Sequence, residues 1–83
     1  MKTGCFVILN SVSEVMKAEK DLLRRGMRID IIPTPREISS ECGVVISFEC
    51  GLLPRIREAL AGSGLDGARF YARTADGRVS ELE

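Results

Sequence analysis

No histidine and no tryptophan occur among the 83 residues, and the aromatic side chains are three phenylalanines and one tyrosine. Without histidine, a Cys-His nucleophile pair, a Ser-His-Asp arrangement and most zinc sites are excluded. Excess charge is also missing, because twelve basic residues balance twelve acidic ones. With neither a basic surplus nor an aromatic platform, nucleic acid is not an expected partner. No apolar run approaches the length needed to cross a bilayer, so no membrane partner is expected. The opening MKTGCFVILN has a lysine and a short apolar run, but Asn10 and Ser11 end that run and no small-residue cleavage site follows. It reads as a first strand and not as a signal peptide.

Three cysteines are present, at positions 5, 42 and 50. An odd number in a chain with no export signal predicts free thiols in a reducing, cytoplasmic setting. There is no CxxC pair, so no closed metal site is expected, and no cofactor.

The apolar pattern predicts one domain over 1–83, with a core over about 4–72 and a C-terminal arm or short hairpin over 73–83. Cys5 to Leu9 is a β-type apolar run. Ser11 to Glu14 has the S-x-x-E spacing that caps a helix, whose stripe is Val12, Val15, Met16, Leu22 and Leu23. Gly26, after Arg24 and Arg25, is its C-terminal stop. Strands are predicted over Arg28–Ile32, Gly43–Phe48 and Ala68–Ala72. A second helix is predicted over Leu52–Ala61, with Pro54 in its first turn and Gly62 and Gly64 after it. Asp76-Gly77 is a turn signal for the terminal arm.

The order β-α-β-β-α-β implies an α+β, ferredoxin-like sandwich: a four-stranded antiparallel sheet with both helices on one face. The first and third strands are then antiparallel neighbours, which sets Cys42 near Asn10 and Ser11 where the first helix begins. Phe6 and Ile8 share one face of the first strand, and Cys5, Val7 and Leu9 the other, where Ile32 and Val45 are expected to join them. A sheet this apolar on both faces calls for cover, and a homodimer through the open face is expected unless the terminal arm lies across it.

The connection PTPREISSECG, residues 33–43, is longer than a β connection requires. Cys42 stands at its junction with the third strand, with Gly43 leaving room beside it. The first helix's positive end and Arg36 favour its thiolate, while Glu37 and Glu41 oppose it. Arg36, Ser39, Ser40, Ser11, Ser13 and helix amides form a plausible anion cradle. The plain alternatives are a stop and stiffener at Pro33 and Pro35, turn-forming serines, and a surface ion pair for Arg36. Cys42 and Cys50 bracket a strand and stand about 26 Å apart along it, too far for a disulfide. Cys5 and Cys50 share a sheet end and can approach each other, although the usual role of such cysteines is that of small buried hydrophobes.

IIPTPREISSECGVVISF, together with the preceding AEKDLLRRG helix end, resembles a small bacterial family of selenium/sulfur carrier-like proteins, otherwise a domain of unknown function. The resemblance spans roughly Cys5 to Tyr71. It implies a chalcogen-accepting thiol at Cys42, within a matching loop of Pro33, Thr34, Pro35, Arg36, Ser39, Ser40 and Gly43. The helix start at Glu49-Cys50-Gly51 departs from the family's proline- and acid-rich pattern. The leading expectation is therefore a carrier that holds sulfur or selenium on Cys42 as a persulfide-type adduct, between a donor and an acceptor protein. The chain lacks the acid–base residues of an independent enzyme. The alternative is a non-catalytic ligand-binding or regulatory module with residues 33–43 as its anion site.

Overall fold

Helix α1 (Val12–Arg24) begins at the cap its sequence signals. The Glu14 amide donates to Ser11 Oγ at 3.2 Å, and the Glu14 carboxylate accepts from the Asn10 amide at 3.1 Å. The reciprocal pair of a capping box is thus formed, with its second bond displaced one residue toward the N-terminus. The helix ends where Gly26 takes a φ of 82°. The Gly26 amide donates to Leu23 and the Met27 amide to Leu22, which satisfies carbonyls the helix leaves open.

These elements belong to a computed structural model that describes residues 4–38, 43–65 and 67–82. The remaining elements are β1 (Gly4–Ile8), β2 (Ile29–Pro33), β3 (Val44–Phe48), α2 (Leu53–Gly62), β4 (Arg69–Arg73) and β5 (Val79–Leu82), with a 3-10 turn over Cys50–Leu52. The strands form one sheet in the order β2-β3-β1-β4-β5, and each neighbouring pair is antiparallel. The expected pairing of the first and third strands is present, with Val7 opposite Ile46.

Among the described residues the sheet has five strands and not four. Thr74 to Arg78 turns the chain at Gly77, whose φ is 89°, and β5 extends the edge beside β4. The arm therefore pairs edge to edge instead of lying across a sheet face. Backbone groups on β4 that would face water are paired instead.

Both helices contribute to a core over one sheet face. Val15, Ala18 and Leu22 of α1, with Ile56, Ala59 and Leu60 of α2, pack with Cys5, Val7, Leu9, Ile46 and Phe48. A fully buried aliphatic side chain of this size contributes about 1.5–3 kcal/mol. The α1 stripe differs from the expected one: Val12, Met16 and Leu23 are exposed, and Ala18 is fully buried in their stead. The small Ala18 side chain allows α1 to lie close to the sheet.

The opposite face carries Phe6, Ile8 and Val45, with Ile32, Tyr71 and Val79 at its margin. Ile32 and Val45 were expected with Val7, but the register sets Val45 beside Ile8, and Ile32 pairs with Val45. A shift of one residue moves a side chain to the other face. This second face is covered within the single chain by Ile38, only 5% exposed. Its apolarity therefore does not call for a second copy, and the homodimer expectation loses its basis there.

Candidate functional site

The chain after β2 leaves the sheet at the end where β1 runs into α1. Pro33 is the last residue of β2, opposite Val44, and the Thr34 amide donates to the Gly43 carbonyl at 3.1 Å. This bond pinches the base of the connection. The Ile38 amide then donates to the Pro35 carbonyl at 3.0 Å, which closes a turn through Arg36 and Glu37. Arg36 is exposed at that turn.

Two anchors hold the turn against the sheet. Ile38 packs with Phe6, Ile8 and Val45, and Glu37 lies 3.7 Å from the Arg73 guanidinium. Arg73 also sits over the Phe6 ring, 5.6 Å from its centroid, and donates to the Gly77 carbonyl. The first half of the connection thus folds across the sheet face away from the helices. This first half does not lie over the start of α1, and the position of Cys42 near Asn10 and Ser11 falls outside the described residues. Sequence reasoning missed Ile38 and Arg73; the available signal was a single isoleucine in an otherwise polar loop.

Cys42, Ser39 and Ser40 lie outside the described residues. Gly43 is exposed, and a Cβ built there would meet no atom within 4 Å. Ser11 and Ser13 are exposed at the start of α1, but the Ser11 hydroxyl accepts from the Glu14 amide as the helix cap. The Glu14 carboxylate supplies negative charge at the same end. Both features oppose a second anion at that helix terminus.

At the other end of the sheet Cys5 and Cys50 form a disulfide, with Cα atoms 5.1 Å apart. This corrects the expectation of three free thiols and removes one support for a cytoplasmic setting. Cys5 is buried as expected, at 1% exposure, whereas Cys50 is exposed at the start of the 3-10 turn. Their shared sheet end was visible in the sequence; their bond was not, because burial alone explains Cys5. A shallow groove of about 430 Å³ beside Cys50 is lined by Arg28, Glu49, Gly51, Leu52 and Arg55, among others.

Among the described residues, no group of three or more His, Cys, Asp or Glu side chains is placed to hold a metal ion. Among the same residues, no helix is long and apolar enough to cross a membrane.

Neither a curated protein nor a solved structure matches this chain. The profile of one family, described as "Putative Se/S carrier protein-like", matches residues 4–72. The match runs from the first residue of β1 almost to the end of β4, takes in all of residues 33–43, and stops before β5. The chain belongs to this Se/S carrier protein-like family.

Proposed function

We propose that the protein carries sulfur or selenium on Cys42. The observation that carries this reading is the family match across the whole 33–43 connection. The disulfide supports it by elimination: with Cys5 bonded to Cys50, Cys42 is the one cysteine of three left to act as a thiol. The flanks of the connection are held by the Thr34–Gly43 bond, buried Ile38 and the Glu37–Arg73 pair, while Arg36 and Gly43 stay exposed. Such an arrangement suits a thiol that must meet two partners in turn without unfolding its scaffold. The scaffold itself we assign to the ferredoxin-like arrangement, from the order β2-β3-β1-β4 and the two helices over one face, with β5 added.

In the transfer the Cys42 thiolate attacks the outer sulfur of a donor persulfide. The donor S–S bond breaks, its electron pair leaves with the donor thiolate, and Cys42 becomes the persulfide. An acceptor nucleophile then takes that outer sulfur, and the Cys42 thiolate returns. No net oxidant is required, and a selenium donor follows the same steps. Arg36 stabilises the anionic forms in this account, and Ser39 and Ser40 offer hydrogen bonds to them. Ser11 has no part in it, since its hydroxyl already caps α1 beside the Glu14 carboxylate.

The deciding experiment is the intact mass of the native protein before and after reductant, with peptide mapping. A reductant-labile gain of one sulfur or selenium atom on Cys42, abolished by Cys42→Ser, is expected. If Cys42 accepts no sulfur from a persulfide donor while the connection binds an inorganic anion through Arg36, the ligand-binding module replaces the carrier.

A further inference from the structure

We infer that Cys5 and Cys50 form a second, independent sulfur site: a redox-active disulfide that accepts two electrons from a dithiol, with Cys50 as the attacked sulfur. The pair is asymmetric. Cys5 is 1% exposed, between Phe48 and Ala72 on its neighbouring strands, whereas Cys50 is exposed on a turn. A partner thiolate therefore reaches Cys50 and not Cys5. Gly51, next in the chain, adds no side chain, and a Cβ built there would meet only Glu49 Oε1, at 3.8 Å.

Local charge bears on the second step, in which Cys50 is released as a thiolate. The turn containing Cys50 runs directly into α2, whose start has no side-chain cap and no acidic residue in its first turn. Arg28 and Arg55 line the adjoining groove and favour a thiolate there, with Glu49 as the opposing charge. The start of α1, in contrast, is filled by Ser11 and Glu14. Gly43 precedes β3 and Phe48 ends it, roughly 17 Å apart at strand spacing, so the pair lies at the far end of β3 from Gly43.

The exchange balances as follows. One thiolate of the dithiol attacks Cys50 Sγ, the Cys5–Cys50 bond breaks, and its electron pair remains on Cys5 Sγ, which takes a proton. The second thiolate of the same molecule attacks its own sulfur in the mixed disulfide and releases Cys50 as thiolate. The dithiol becomes a cyclic disulfide, having lost two electrons and two protons, and the protein holds two thiols.

The test uses the full chain with Cys42→Ser, so that its outcome is independent of the carrier reading. The folded, oxidised protein is treated with dithiothreitol and quenched, and the state of both cysteines is followed by mass. Reduction without unfolding is expected. Iodoacetamide should then alkylate Cys50 about tenfold faster than Cys5. Arg55→Ala should slow that alkylation several-fold while leaving the circular dichroism unchanged. With glutathione disulfide, reduced Cys5→Ala should form one mixed disulfide on Cys50. Reduction only at the rate of global unfolding, equal alkylation of the two thiols, or a native protein that never contains the bond would each overturn the proposal.

Discussion

Glu37, in the middle of the 33–43 connection, lies 3.7 Å from Arg73 at the far end of β4, and next to it Ile38 is buried against Phe6 and Ile8. A polar connection is thereby held by one apolar and one ionic contact, and the two differ in strength. Ile38→Ala should cost about 2–3 kcal/mol in denaturant unfolding, because it removes a buried side chain. Arg73→Gln should cost about 1 kcal/mol or less, since both partners of the ion pair are partly exposed. Both variants should speed proteolysis within residues 33–43. Equal stability losses for the two would mean that the packing of Ile38 is not the main anchor.

The cap of α1 gives a second prediction. Ser11→Ala should lower stability by about 1 kcal/mol, measured by denaturant unfolding. Chalcogen loading of Cys42 should be unaffected, because the Ser11 hydroxyl is engaged with the Glu14 amide. A loss of loading in a folded Ser11→Ala protein would return this serine to the site.

Asp21 couples the two helices and sets a third expectation. It accepts from Arg25 Nε at 3.0 Å and from Ser63 Oγ, beyond the end of α2, at 3.2 Å. Partial burial raises its carboxyl, but the bonds from Arg25 and Ser63, with the charges of Arg25 and Arg24, outweigh this and hold it below the usual 3.8. A depressed carboxyl stabilises the fold above its unfolded value and ceases to do so as pH falls through the folded value. The melting temperature of the wild type should therefore fall more steeply below pH 3.8 than that of Asp21→Asn, whose pH dependence should be shallower there. Parallel curves for the two proteins would contradict this.

The fifth strand supplies the fourth. Removing residues 75–83 should leave β1 to β4 folded, since the family match ends at residue 72. It would also expose the free edge of β4 and strip Val79 from the margin of the second face. Sedimentation should then detect concentration-dependent association stronger than that of the full chain. A truncated chain that associates no more than the full chain would show that β5 does not guard this edge.

Local chemistry made much of the fold legible. Ser11, Gly26 and Pro54 act within a few residues of themselves, so the helix limits could be read directly. The α1 stripe was less readable, because Val12, Met16 and Leu23 form an apolar arc beside the one centred on Val15 and Leu22. Only contact with the sheet decides between them, and buried Ala18 shows which arc turned inward. Val45 was assigned to the wrong face because alternation fixes which residues of one strand share a face but not the register that aligns them with the next strand. The cover supplied by Ile38 has no periodicity at all. For the site, the sequence offered Cys42 and its loop through resemblance, and it placed Cys5 and Cys50 at one sheet end. It could not reveal their bond, which depends on how the turn after β3 returns over the helix face.

The Cys5–Cys50 bond also changes the connectedness of the chain. Its partners are 45 positions apart in sequence, and α1, β2, the whole 33–43 connection and β3 lie inside the ring it closes. A protease that cuts the connection once opens this ring without dividing the molecule. The two pieces remain covalently joined, travel as one species, and separate only when the sulfur bond is reduced.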